Sequence, residues 1–298
     1  MQQASGVSMS SLTEQLAQFP THSSAATATA TAGRVQFRRA CSPGYAGGVT
    51  HVLLHGIGSA SASWLAQLLQ VSGTAKPASH VLAWDAPGYG DSDALPMEAP
   101  RAADYAARLW VWLDMLDADT QAPLTLVGHS LGALVAASAA VQRPGRVRRL
   151  VLLAPAQGYA SADPQVREKK LSDRLANLAH WGPAGMAKKR AGLMLSPEAG
   201  AEQIAFVEHV MAGIRPHGYT QAARMLAGGH LAADLARVAS PVIIASGSAD
   251  TVTPSDGCEA LARSIHAPYV SLGVVGHSCA LEAAPGVNTL IGIAGEVR

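Results

Sequence analysis

The sequence lacks what would carry it into a membrane, onto a nucleic acid or around a metal. No stretch of the 298 residues stays apolar for long enough to span a bilayer. The formal net charge is only +1, so no global field draws nucleic acid or an anionic lipid surface. Cysteines number three, Cys41, Cys258 and Cys279. They show no metal-ligand spacing and cannot all pair, which predicts a reducing, cytoplasmic setting without structural disulfides. Cys279 reads as a small buried filler. A secretory signal is missing too: the N-terminus has neither a basic start nor a sustained apolar core, and Met9 is an alternative start. No internal repeat occurs. Hydrophobic residues, by contrast, make up 49% of the chain, enough for a substantial core, and glycines number 29.

The order of apolar runs gives the organisation. Residues 1–33 read as a flexible N-terminal extension. Within it Ser11-Leu-Thr-Glu14 can cap a short helix running through Phe19, and an Ala/Thr tract has nothing large to bury. Arg34–Arg39 alternates like an edge strand. Apolar strands are then expected at 50–54, 80–84, 124–127, 148–153, 241–245 and 269–272. Helices are expected between them, as at 101–116, where Tyr105, Leu109, Trp112, Leu113 and Leu116 share a face. Residues 156–236 break the alternation with helical stretches interrupted at Gly182-Pro183, Ser196-Pro197 and Arg215-Pro216. The pattern predicts an α/β fold, a doubly wound and mostly parallel sheet. A helical lid is inserted before the sixth parallel-type strand region. The core is then 34–155 with 237–298, and the lid 156–236. Active groups belong at the C-terminal ends of the strands.

One stretch carries chemistry. The strand Leu124–Val127 runs into Gly128-His129-Ser130-Leu131-Gly132 and then an alanine-rich helix. A serine in a G-x-S-x-G turn between strand and helix sits on a strained backbone with its hydroxyl pushed out of the sheet. Such a hydroxyl is a poor nucleophile at neutral pH and needs a base, itself oriented by a carboxylate. Asp250 follows the strand 241–245 directly; its competitor Asp256 lies past Pro254, where a helix cap suits it better. His277 comes just after the last strand, whereas His266 lies before it, at the wrong end. His129 is expected to point away from Ser130 into the scaffold, and His55 to be structural. A tetrahedral oxyanion needs two backbone N–H donors. Leu131, after the serine, is one; Ile57, between Gly56 and Gly58, is the other. The loop His55-Gly56-Ile57-Gly58 lacks the third glycine and the lysine of a phosphate-binding loop.

His55-Gly-Ile-Gly58, Asp85-Ala-Pro-Gly-Tyr-Gly-Asp-Ser92, Gly128-His-Ser-Leu-Gly132, Gly247-Ser-Ala-Asp250 and Gly276-His277 resemble the ordered motifs of the α/β-hydrolase fold superfamily. The resemblance covers about residues 34–298, apart from the insertion, which lies where that superfamily carries its lid. It implies Ser130 as nucleophile, Asp250 as orienter, His277 as base, and Ile57 and Leu131 as oxyanion donors. His55–Trp64 is similar to the loop of bacterial esterases, enol-lactonases and ring-cleavage-product (C–C bond) hydrolases of aromatic catabolism. The C–C hydrolases usually show G-N-S-M-G at the turn, where this chain has His129 and Leu131. Haloalkane dehalogenases and epoxide hydrolases use an aspartate where Ser130 stands.

The expectation is a hydrolase of a small carboxylic ester or lactone, without cofactor or metal. Nucleic acid and membrane insertion are not expected; homo-oligomers are possible. The alternatives are a C–C bond hydrolase with the same triad and a non-catalytic ligand-binding member of the fold. The substrate pocket is expected to involve Gly56, Gly58, Trp64, Trp181 and Met186, with Met194, Phe206, Met211 and Met225 as further candidates. Lys188-Lys-Arg190 reads as a solvated face, with Arg190 the group that would draw an anionic substrate.

Overall fold

A computed structural model describes residues 11–24, 33–116 and 122–294. The Ala/Thr tract at 25–32 and the alternative start at Met9 lie outside the described residues. The chain begins with α1 (Leu12–Leu16), β1 (His22–Ser23), β2 (Gln36–Cys41), β3 (His51–Leu54), α2 (Leu65–Gly73), β4 (His80–Trp84) and α3 (Ala102–Leu116). Then come β5 (Leu124–His129), α4 (Gly132–Gln142) and β6 (Val147–Leu153). Four helices follow without a strand: α5 (Pro164–Arg190), α6 (Ala201–Ala212), α7 (Pro216–Gly228) and α8 (Leu231–Leu235). The chain closes with β7 (Val242–Ser246), α9 (Ser255–Ser264), β8 (Tyr269–Ser271), α10 (Cys279–Glu282) and α11 (Ala284–Ile291).

The strands form one sheet in the order β1-β2-β4-β3-β5-β6-β7-β8, parallel except at β1 and β2. Strands buried on both faces need apolar residues at every position, which is why β3 and β5 read as continuous runs. Their side chains alternate between two cores. Leu54, Leu126 and Leu152 meet α3, α4, α8 and α9 on one face. Leu53, Val127 and Leu153 meet α2 and α11 on the other. The chain leaves β3 towards β4 and later returns on the opposite side as β5. The crevice at such a reversal, beyond the C-terminal strand ends, is where ligands bind in open α/β sheets.

Several expectations change. β2 is not the sheet edge: the two-residue β1 covers it through His22↔Phe37 and Ser23↔Gln36. The helical insertion lies between β6 and β7, and β7 is the fifth parallel strand rather than the sixth, because β2 pairs antiparallel with β4. Residues 11–24, expected within a flexible extension, instead pack onto the body. The Ser11/Glu14 capping box forms, α1 stops at Leu16, Leu16 and Phe19 are buried, and Leu12 N–H donates to Glu202 Oε1 at 2.7 Å. At Gly182 the backbone takes φ 62° and ψ 178°, so α5 is two helical pieces meeting at a kink ahead of Pro183. All three cysteines are free, with Cys258 and Cys279 buried. Among the described residues no helix is long and apolar enough to cross a membrane.

Candidate active site

Ser130 follows β5 with φ 51°, a left-handed conformation that L side chains avoid. Three hydrogen bonds hold it there. Its N–H donates to Leu153 O at 2.9 Å, and its carbonyl accepts from Ala133 N–H and Ala156 N–H, both at 3.1 Å. α4 starts two residues later and points its free N–H groups and partial positive charge towards the turn. The close docking requires glycine. A Cβ on Gly132 would lie 2.2 Å from Leu54 O, and one on Gly128 2.6 Å from Gly132 O. Gly132→Ala is therefore expected to destabilise the fold by about 1–3 kcal/mol, read as a fall in thermal midpoint. Gly145→Ala, where nothing lies within 4 Å, is expected to change it little.

Asp250 lies in the loop after β7 and is 4% exposed. Oδ1 accepts from Val252 N–H at 2.7 Å and Thr253 N–H at 3.0 Å. Oδ2 accepts from Thr253 Oγ1 at 2.9 Å and faces His277 Nδ1 at 2.8 Å. Burial pushes this carboxyl up, but hydrogen bonding and charge from His277, together with the two N–H donors, hold it below the ordinary value. An ionised Asp250 fixes the Nδ1–H tautomer of His277 and leaves Nε2 with a lone pair. Asp256 sits in the first turn of α9, where it complements the helix dipole. His266 lies in the turn before β8, at the far end of the sheet from the loop that carries His277.

Ser130 and His277 line one cavity of about 290 Å³. Gly56, Ile57, Gly58, Trp64, Leu131 and Met186 line it too, as do Met194, Phe206 and Met211. Gly56 lies against the serine: a Cβ there would be 3.1 Å from Ser130 Cβ. Trp181 is not among the lining residues. It precedes the kink at Gly182 and is half-buried against the core, with Lys189 Nζ 4.8 Å above its ring. Met225 is buried in the core beside α4 rather than in this cavity. Lys188 and Lys189 are exposed as expected, but Arg190 lines the cavity.

His129 does not point away into the scaffold. Its ring packs 4.8 Å from that of His277, and Nε2–H donates to the His277 carbonyl at 2.7 Å. Burial and the neighbouring His277 depress its pKa to about 3, so it is a neutral donor that anchors the loop of His277. His55 is likewise neutral. Ala86 N–H donates to Nε2 at 3.0 Å, so the proton sits on Nδ1 and goes to Gly56 O at 2.8 Å. Burial holds the His55 pKa near 4. With the Gly56 carbonyl pinned, the N–H of Ile57 in the same planar peptide is aimed the opposite way. Tyr89 O–H donates to Ile57 O at 2.7 Å, and Asp85 accepts from Ser61 N–H at 2.7 Å and Ser61 O–H at 3.0 Å. The turn 85–92 thus braces the glycine loop at three points. Glu282 braces the other side, accepting from Gly276 N–H at 2.8 Å and Ser196 O–H at 2.5 Å. None of Tyr89, Thr253 or Glu282 was singled out by sequence reasoning; Tyr89 reaches Ile57, Thr253 reaches His277 and Glu282 reaches Ser196 across 32, 24 and 86 residues of chain, which spacing does not reveal.

The family model described as serine aminopeptidase, S33, matches residues 50–277, from β3 to the histidine beside Asp250. The chain belongs to this α/β-hydrolase family. RutD of Variovorax paradoxus is 31% identical over 220 residues, which are 71% of this chain and 77% of that protein. The (E)-2-((N-methylformamido)methylene)succinate hydrolase of Acinetobacter baylyi is 32% identical over 102 residues. That match spans only 34% of this chain and 36% of the relative. Among solved structures, a thermophilic esterase from Thermogutta terrifontis, with malate bound, superposes with a TM-score of 0.76 at 22% identity. It covers 91% of this chain and 96% of its own, a likeness of fold.

Proposed function

We propose that this α/β-hydrolase family member cleaves a small carboxylic ester or lactone through Ser130, His277 and Asp250. The observation that carries the reading is the paired Asp250–His277, whose imidazole opens onto the same cavity as the strained Ser130. His277 Nε2 takes the serine proton as Oγ attacks the carbonyl. Leu131 N–H, at the head of α4, and Ile57 N–H, aimed by the His55–Gly56 bond, receive the developing oxyanion. The alcohol leaves with the proton held by His277. Water, deprotonated by the same imidazole, then releases the acid from the acyl-enzyme. Residues 156–236 act as the lid: α5 and α6 supply Met186, Phe206, Val207 and Met211 to the cavity wall. The names of the similar esterase and of the succinate-derivative hydrolase support hydrolysis of a carboxylic compound.

A fluorophosphonate tests the reading on the intact protein. Stoichiometric labelling is expected, with the mass increment on the peptide carrying Ser130. Labelling elsewhere, or none in the folded protein, overturns the assignment. Turnover of short-chain esters with no turnover of vinylogous diketones separates ester cleavage from C–C cleavage; ligand binding without any turnover would make this a binding protein.

A further inference from the structure

The cavity wall has an unbalanced charge. Arg174 and Arg190, both on α5, line it, and no aspartate or glutamate does. Among the described residues neither arginine is ion-paired, although Arg34, Arg143, Arg146, Arg224 and Arg263 all find carboxylates. Arg174 is half-buried, and its neighbours in the cavity are the phenols of Tyr159 and Tyr219. Burial works against its charge; the two tyrosine oxygens offset that, so the guanidinium stays ionised. A half-buried cation with neutral partners only is an incomplete arrangement. Its planar fork matches a carboxylate through two parallel N–H···O bonds. The two phenol hydroxyls beside it are further donors. The part of the wall formed by Met186, Phe206, Val207, Val210 and Met211 is apolar and would hold a carbon chain.

We infer that Arg174, with Tyr159 and Tyr219, forms a carboxylate subsite inside the Ser130 cavity. The substrate is then an ester or lactone that bears a second, free carboxylate. The nature of the bond cleaved rests on the hydrolase reading above; the anion binding does not.

Two measurements test this on the full chain. The first compares kcat/KM for monomethyl glutarate with methyl valerate, and for monomethyl adipate with methyl hexanoate, by pH-stat titration. The charged ester of each pair is expected to be preferred about tenfold or more, and Arg174→Gln to lower that ratio by about tenfold. Lys169→Gln, on an exposed stretch of α5, is expected to leave the ratio alone. The second is calorimetric titration of Ser130→Ala with glutarate, expected to bind and to lose binding when Arg174→Gln is added. Hydrolysis of the neutral esters without preference, or glutarate binding equally with and without Arg174, overturns the subsite and leaves the hydrolase standing. Arg174-dependent glutarate binding with no ester turned over supports the subsite and sinks the hydrolase reading instead.

Discussion

Ser130→Ala is expected to lower ester turnover by at least about 10⁴-fold, leaving a residual rate about 10³-fold above that in water from the oxyanion donors and binding. The argument starts from the backbone. Ser130 holds φ 51° because Leu153 O, Ala133 N–H and Ala156 N–H fix it from three sides. None of those bonds involves the hydroxyl. Alanine has a Cβ of the same size and tolerates the left-handed region no worse than serine, so the variant is expected to fold with a thermal midpoint close to that of the parent. The loss then belongs to chemistry: without Oγ there is no acyl-enzyme, whereas the oxyanion donors, the cavity and the Asp250–His277 pair remain. Steady-state kinetics beside a melting curve checks this. A variant that keeps a tenth of the parental kcat would remove Ser130 from the mechanism, however well the rest of the site is formed.

Much of this arrangement was legible from residue order. Continuous apolar runs marked the strands of a two-faced parallel sheet, and the positions of Ser130, Asp250 and His277 just beyond β5, β7 and β8 followed from that. Glycine spacing marked the close approach of α4 to β3, since Gly132 has Leu54 O where its Cβ would be. The bracing was not legible. Residue 129 precedes a left-handed serine, so the direction of its side chain depends on a strained turn that no periodicity describes; hence His129 reaches the His277 carbonyl instead of the scaffold. β1 is two residues long and pairs through its backbone, which leaves no apolar pattern. In the insertion, helical period says which residues share a face, but not which faces turn towards Ser130. Trp181 looked like a pocket residue, and Arg174 was not singled out. Both lie on the same helical piece of α5, ahead of the kink at Gly182, and how that piece docks over the cavity cannot be read from its period.

Acidification from pH 7 to 4.5 is expected to cost this protein several kcal/mol of stability, chiefly through buried histidines. Three buried histidines stay neutral in the folded state, each held down chiefly by burial: His51 and His55 near 4, His129 near 3. In the unfolded chain each titrates near 6.5. Between these values the unfolded state takes up protons that the folded state refuses, so stability falls as pH falls. The contribution is whole above about 6.5 and is lost on the way down to about 4. A depression of two to three pH units corresponds to roughly 3 kcal/mol per group. Asp85 works in the opposite direction. Burial raises it to about 6, so its folded form keeps a proton that the unfolded carboxyl gives up, and acidification relieves that cost. Asp250, depressed below its ordinary value, adds stability that is lost only at still lower pH. Three histidines against one aspartate leave a net loss of several kcal/mol between pH 7 and 4.5. Urea midpoints across that range measure it. His51→Gln gives the sharper test. His51 Nε2–H donates to Ile291 O at 2.9 Å, a bond a glutamine amide can replace, and His51 is absent from the cavity wall. The variant is expected to keep activity and to show a visibly shallower pH dependence. A midpoint that is flat from pH 7 to 5 in the parent would mean that these imidazoles carry their second proton in the folded state. The Ala86–His55 hydrogen bond would then be broken, and with it the bracing that aims the Ile57 N–H into the cavity.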